Sequence, residues 1–378
     1  MNKEVFLRGS SLISSLGENK RQSASKMLEL NNSNYQDYLD SIFEDRFFYK
    51  FKSNYTSHHD KFFTVLKNII KDSIKDANLS EEEAKDMHIF IGSTSMSIAL
   101  LEEHYAKSNH EMLYIEYSSI GEYIENLIQS KHQATIIQSA CTSSANALIL
   151  ATQQIKNGQI KRALIIGFEI FNNVTYKGFE SLMLLSKSGV YKPFDKTSDG
   201  LVLGEACSAV ILDSIPNNQK SIRYISSNSS FDGYSDTGAN PDGIVTYECM
   251  KNAIISGNLT LQDITCIKAH ATGTETSNSS EAKAVQLLFD FYQTQTDVIS
   301  LKPYIGHTLG ACGTNEIVLF CEAISQNFVP QTLGFEEHYE NVDFDPLTTR
   351  KCLDNGIFLL NFIGFGGTNT SIVLSVDK

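Results

Sequence analysis

One cysteine and two histidines stand where nucleophilic and charge-stabilising chemistry needs them. Cys141 sits in Gln138-Ser139-Ala140-Cys141-Thr142-Ser143-Ser144-Ala145, between an apolar run at 134–138 that predicts a buried strand and an alanine-rich run that predicts a helix. A thiol at a helix N-terminus meets the positive end of the macrodipole and unpaired N–H groups, both of which favour the nucleophilic thiolate. Taken alone, the segment fits equally well a small cysteine packing a strand–helix corner. Residues 264–268 predict a short strand that delivers His270 into Ala269-His270-Ala271-Thr272-Gly273-Thr274, and residues 300–306 deliver His307 into Thr308-Leu309-Gly310-Ala311-Cys312-Gly313 ahead of a further helix. Small neighbours let backbone and substrate approach both imidazoles closely. The other seven histidines, His58, His59, His88, His104, His110, His132 and His338, lie in polar or helical surroundings and are assigned to the surface. The His58-His59 pair lacks carboxylate or cysteine partners at metal-ligand spacing, so no metal site is expected.

These residues carry a family resemblance. Cys141 in Ala-Cys-Thr-Ser-Ser, His270 in His-x-Thr-Gly-Thr, and Lys302 five residues before His307 in Lys-x-x-x-Gly-His-x-x-Gly-Ala resemble the active-site motifs of the β-ketoacyl-acyl carrier protein synthases, in their elongating Cys-His-His branch. Tyr191-Lys192-Pro193-Phe194-Asp195, Asp199-Gly200, Gly204-Glu205-Ala206 and the turn Gly364-Phe365-Gly366-Gly367-Thr368-Asn369 are similar to further family stretches. The first 130 or so residues resemble the family loosely, and Ala271 stands where a glycine is usual.

The resemblance implies a decarboxylative Claisen condensation. Cys141 would hold the acyl chain as a thioester, splitting the reaction into two easier steps. His270 and His307, as neutral donors, would stabilise the thioester oxygen when a malonyl group loses carbon dioxide. The backbone N–H groups of Cys141 and Phe365 would form the oxyanion hole for acyl transfer, with Phe365 gating the acyl pocket and Ile363 where a second aromatic is often found. Lys302 would keep His307 neutral, with Glu316 balancing the lysine charge, and Thr272, Thr274 and Thr237 would bind the amides of a phosphopantetheine arm. No permanently bound cofactor is implied, because that arm of an acyl carrier protein delivers the substrates. The implied assembly is a homodimer, or a heterodimer with a related synthase subunit.

The rest of the chain must position these groups. Its 378 residues, 42% hydrophobic and 20% charged, are ample for a globular core. Helices and strands alternate in an α/β order, and runs such as 163–167 and 357–362 lack polar alternation, as strands covered on both faces do. The polar stretch at 214–220 is the best internal boundary. The family's thiolase-like fold would set two pseudo-symmetric halves, 1–215 with Cys141 and 216–378 with both histidines, into a layered αβαβα core.

No apolar run approaches the roughly 20 residues of a membrane span, the N-terminus lacks a signal-peptide core, and the seven scattered cysteines read as reduced thiols, so a cytoplasmic location is expected. Apart from Cys141 the cysteines, Cys207, Cys249, Cys266, Cys312, Cys321 and Cys352, are assigned to packing. The formal charge of −13 disfavours nucleic acid as a partner. It also repels an acidic carrier, so a local basic patch is needed. Lys67, Lys71 and Lys75 on a helix at 60–77, or Lys156, Lys161 and Arg162, are the candidates, each equally readable as a solvated face.

The residues also bear on three other readings. A chain-initiating synthase pairs its cysteine with histidine and asparagine, whereas His307 occupies the third position here. A thiolase needs a second catalytic cysteine, and the frame around Cys312 is wrong for it. A noncatalytic, chain-length-determining partner subunit generally lacks the nucleophile. The product belongs to fatty-acid elongation or to a specialised polyene pathway such as that of aryl polyene pigments.

Overall fold

The computed structural model describes residues 3–43, 46–52, 54–107, 117–217, 221–340 and 342–377. His110 and residues 218–220 of the expected boundary lie outside the described residues. Ten strands form one sheet: β1 (Val5–Ile13), β2 (His88–Gly92), β3 (Thr135–Ile137), β4 (Arg162–Glu169), β5 (Ala206–Asp213), β6 (Ser221–Phe231), β7 (Cys266–Lys268), β8 (Asp297–Ile299), β9 (Gly356–Gly364) and β10 (Thr368–Asp377). Their spatial order is β8-β7-β9-β10-β6-β1-β5-β4-β2-β3.

That order contains a repeat. Read outward from the centre, β1-β5-β4-β2-β3 becomes β6-β10-β9-β7-β8 when five is added to each number. Directions repeat as well: each half runs antiparallel, antiparallel, parallel, parallel from its central strand. Within the sheet, among the described residues, the two halves are joined by two residue pairs, Val5 with Tyr224 and Phe6 with Arg223.

Six helices position the site or cover the sheet: α1 (His58–Asp76), α2 (Ser143–Lys156), α3 (Asn173–Ser181), α4 (Ile244–Ser256), α5 (Glu275–Tyr292) and α6 (Cys312–Ser325). Between the halves, α2 and α6 share a core in which Leu148, Ile155, Val318 and Phe320 meet Ile165, Val210, Leu360 and Leu374. Gly313 allows the close crossing, since a Cβ there would lie 2.3 Å from the Ala145 nitrogen. On one outer face α1 packs on Ile13 of β1 and on Ala209 and Ile211 of β5. On the other, α4 and α5 pack on Ile267, Leu359 and Val373. The result is five layers, helix, sheet, helix, sheet, helix, with three cores between them.

Local sequence explains the elements. All eight residues of β4 are buried because alternate side chains enter different cores, which removes the polar alternation. In α1 the buried positions 62, 65, 66, 69, 70 and 73 trace one helical stripe. Its Ser57 side chain accepts from the Asp60 N–H and caps the start. The helix expected over 60–77 is therefore present, begun two residues early by that cap.

Candidate active site

β3 ends at Ile137 and α2 starts at Ser143, so the chain must turn within a few residues. Ala140 takes up the turn with φ +48. Ser143 closes it: its N–H and hydroxyl donate to the Ala140 carbonyl at 3.1 and 2.6 Å, while its hydroxyl accepts from the Ser139 N–H at 2.9 Å. Cys141 is thereby held just before α2, 4% exposed.

A second turn approaches it. Phe365, Gly366 and Gly367 join β9 to β10, and the two glycines have φ +74 and +81. A Cβ on Gly367 would lie 1.6 Å from the Asp232 carbonyl oxygen, so no larger residue fits. The turn aims the Phe365 N–H at the Cys141 sulfur and stacks the Phe365 ring on Phe179 of α3, centroids 5.5 Å apart.

Burial pushes the Cys141 thiol up to about 12. Lys302 and the N–H groups of Phe365 and Cys141 act the other way and are outweighed. The expectation of a resting thiolate is thus corrected: a helix N-terminus helps, but a sulfur cut off from water loses more solvation than those dipoles return.

His270 leaves β7 and is 1% exposed; His307 follows a short helix, Lys302–Ile305, and is 2% exposed. Their rings meet edge to face, centroids 5.2 Å apart. Glu281 of α5 pins the first loop by accepting from the N–H groups of His270 and Ala271 at 2.8 and 2.6 Å and from Asn361 at 2.7 Å. His307 is fixed through its N–H to the Val202 carbonyl at 2.8 Å. Both imidazoles are held well below their ordinary pKa, first by burial and then by the charge of Lys302, so both are neutral at pH 7.

Beneath the rings lies a buried charge cluster. Glu316 of α6 bridges two ammonium groups, Lys302 at 2.6 Å and Lys268 at 2.5 Å, and all three side chains are 0% exposed. Lys302 also lies 3.3 Å from His270 Nδ1. Its direct contact is therefore with His270, while its charge also lowers His307 through space, as expected of a lysine near that ring. Lys268 is further tied to the Asn361 carbonyl at 2.7 Å and covers the Phe362 ring at 3.6 Å. The shared carboxyl of Glu316 is lowered; burial drives Lys268 down to about 8, whereas Glu316 overcomes burial and raises Lys302.

Ala271 has φ +39, a region that costs an L-residue roughly 1–2 kcal/mol. Ala271→Gly should therefore raise stability by up to about 1 kcal/mol, the relief of strain being partly offset by a freer unfolded chain. Urea unfolding of the two proteins checks this, and a loss of stability in the glycine variant would contradict it.

One cavity collects these groups. Cys141, His270, His307, Phe365, Ile363, Thr237, Thr272 and Thr274 all line it. Its volume of about 50 Å³ holds a few waters. Thr272 is buried and its hydroxyl lies 3.4 Å from that of Thr274, while Thr237 is exposed. Lys302 and Glu316 stand behind the histidines, outside the lining.

Several residues escaped sequence reasoning. Glu281 shares α5 with Glu275 and Asp290 and stands in no marked frame; Lys268 carried a signal, a lysine closing an apolar strand. Cys312 does more than pack, since its sulfur lies 3.1 Å from His307 Nδ1. Cys352 is exposed on a two-residue strand and does not pack. His88 and His132 stack at 3.7 Å and are half-buried. Arg162 is buried between Asp213 and Glu83, and Lys156 donates to the Ile225 carbonyl, so the second basic patch does not form. Lys67, Lys71 and Lys75 are exposed on α1. Among the described residues no group of histidine, cysteine and acidic side chains could hold a metal ion.

Comparison with known proteins gives the family and the fold. The family model "Beta-ketoacyl synthase, N-terminal domain" matches residues 3–216 and "Beta-ketoacyl synthase, C-terminal domain" matches 222–336. The chain is 31% identical over 319 residues to probable polyketide synthase 24 of Dictyostelium discoideum, which involves 77% of this chain and 13% of that protein. It is 29% identical over 252 residues to 3-oxoacyl-[acyl-carrier-protein] synthase 2 of Coxiella burnetii, 63% of this chain and 61% of that protein. It thus spans only part of both relatives. Among solved structures, a ketosynthase from a type II polyketide synthase in complex with its acyl-carrier protein superposes with a TM-score of 0.85 at 18% identity, covering 99% of this chain and all of the other. The ketosynthase ApeO with its chain length factor ApeC from Xenorhabdus doucetiae gives 0.84 at 20% identity, covering 99% and 98%. The fold is that of the ketosynthases, and the chain belongs to the β-ketoacyl synthase family.

Proposed function

We propose that the chain is a β-ketoacyl-[acyl carrier protein] synthase, an acyltransferase that joins a Cys141-bound acyl group to malonyl carrier protein with loss of carbon dioxide. The observation that carries this reading is the single cavity shared by the Cys141 thiol, both neutral imidazoles and the Phe365 turn. In the first step Cys141 attacks the acyl thioester and its proton leaves with the departing phosphopantetheine thiol. The N–H groups of Cys141 and Phe365 stabilise the tetrahedral oxygen. In the second, His270 and His307 donate to the malonyl thioester oxygen while the carboxylate departs as carbon dioxide. The carbanion attacks the acyl carbonyl, and Cys141 thiolate is expelled and takes a proton. The hydroxyls of Thr237, Thr272 and Thr274 suit the amides of the phosphopantetheine arm, and movement of Phe365, Ile363, Leu184 or Leu201 admits the acyl chain to a cavity otherwise too small for it.

The partners follow from the same reading. An acyl carrier protein supplies substrate, and no resident cofactor is needed. β3 is bonded on one side only, to β2, among the described residues, and Ile136 and Ile137 on it are half-buried. An open strand edge beside the nucleophile suits a second subunit, another copy or a related synthase. A noncatalytic partner role is disfavoured by the retained thiol and histidines. No helix among the described residues is long and apolar enough to cross a membrane, and we place the protein in the cytoplasm. Its product is a fatty-acyl or polyene chain.

Intact-mass detection of an acyl group on Cys141, after incubation with a panel of acyl-pantetheine thioesters, tests the reading. Absence of any adduct from the whole panel would remove it.

The histidines make a pH prediction. Because both are held well below 6.5, decarboxylation of malonyl-pantetheine by a Cys141→Gln variant should stay level from about pH 8 to about pH 6. Stability has the matching sign: the unfolded imidazoles protonate near 6.5 and the folded ones resist, so acid destabilisation begins there. A rate profile with a midpoint at 6.5 would show imidazoles titrating as in water.

A further inference from the structure

Cys312 opens α6 five residues after His307, with its side chain fully buried. Its Sγ lies 3.1 Å from His307 Nδ1. Its backbone N–H bonds the Leu309 carbonyl, which leaves the thiol as the group facing the ring. Behind the sulfur, Thr308 Oγ1 lies 3.7 Å from Sγ, and Asn315 Nδ2 lies 3.2 Å from Thr308 Oγ1.

Chemistry fixes the direction of this chain. Asn315 Nδ2 is also 3.2 Å from the Ala206 carbonyl, which can only accept, so the amide must present its NH₂ end here. That end only donates. The Thr308 hydroxyl therefore accepts from Asn315 and has its own hydrogen to give to sulfur, which leaves the S–H free to turn toward Nδ1. An imidazole that accepts at Nδ1 carries its proton at Nε2.

We propose that Asn315, Thr308 and Cys312 form a one-directional hydrogen-bond relay that holds His307 as the Nε2–H tautomer, the form able to donate to the thioester oxygen of malonyl substrate. The three are positioning residues, since none lines the cavity. His270 reaches the same tautomer by an unlike route, the Lys302 ammonium 3.3 Å from its Nδ1. With both rings set, two N–H groups converge on one oxygen; a single ring in the other tautomer would offer that oxygen a lone pair. The relay rests on the condensing role given above to His307.

The test uses Cys141→Gln as background and malonyl-pantetheine as probe, with carbon dioxide release and the ¹⁵N signals of labelled histidine as readouts, His307 being assigned by its loss in His307→Asn. Adding Cys312→Ala should slow release about tenfold, a part of the 100- to 1,000-fold that a lost oxyanion donor costs, with KM little changed. Cys312→Ser, which restores a donor, should recover the rate to within about threefold. The ¹⁵N pair should show a bare Nδ1 and a protonated Nε2 in the background protein and a mixture in Cys312→Ala. If the alanine variant fails to fold, Thr308→Val, close in size, is judged by the same two readouts. An unchanged rate, an unshifted ¹⁵N pair, or a serine variant no better than alanine overturns the relay. No carbon dioxide from Cys141→Gln itself would instead sink the condensing role, and the ¹⁵N pair alone would then decide the relay.

Discussion

Replacing Cys141 by alanine should abolish acyl-enzyme formation and condensation, a loss of at least about 1,000-fold, because Cys141 supplies the thiol among the described residues that line the cavity. The fold survives, since the change removes one small buried atom at a loop and touches none of the three cores' large side chains. Cys141→Gln separates the two half-reactions. It fills the acyl position with a neutral amide while His270 and His307 keep their positions, so malonyl-pantetheine still loses carbon dioxide without condensing. Acyl transfer followed by mass spectrometry and decarboxylation followed by gas release check the pair. Normal condensation by the alanine variant would refute the mechanism, and a silent glutamine variant would take the histidines out of it.

The second large effect concerns stability. Glu316→Gln keeps the shape of the side chain but leaves the Lys268 and Lys302 ammonium groups, both 0% exposed, without a counter-charge. Its amide can accept from one lysine only and must point a donor at the other. Breaking a buried ion pair from one side costs roughly 3–5 kcal/mol, and urea unfolding at neutral pH should show that deficit. The relief open to the variant is loss of the Lys268 proton, already the weaker of the two. A lysine depressed in the folded state destabilises below its unfolded pKa and ceases to do so above it, so the deficit should narrow as pH rises toward about 10. Adding Lys268→Met to Glu316→Gln should recover most of the loss, as coupled neighbours do. A deficit under about 1 kcal/mol would mean that the cluster is not charged as drawn.

The contrast between these residues shows what a chain discloses before it folds. Cys141, His270 and His307 are legible because each stands in a short frame of small residues, the first two just past a strand end and the third just past a short helix. The strand expected at 264–268 appears as Cys266–Lys268 and the one at 357–362 as Gly356–Gly364. Lys268 and Glu316 are 48 positions apart, and only the packing of β7 against the central layer makes them partners. The role of Cys312 depends on an amide, Asn315, whose orientation is set by a carbonyl on β5. The resting state of Cys141 was misjudged for a related reason: the helix end is visible in sequence, but the depth of burial is not. Arg162 shows the same blind spot, a cation that looked available for docking and is enclosed by Asp213 and Glu83.

The seam between the two halves carries a consequence of its own. The sulfur comes from one half, whereas both imidazoles and the Phe365 turn come from the other, and among the described residues the strands that join them share two residue pairs. In the condensation proposed above, the gap across which the new carbon–carbon bond forms is therefore an inter-half distance, set where the sheet is most thinly stitched and by how tightly α2 and α6 cross at Gly313. Slackening there would show itself as slower turnover well before it showed itself as melting.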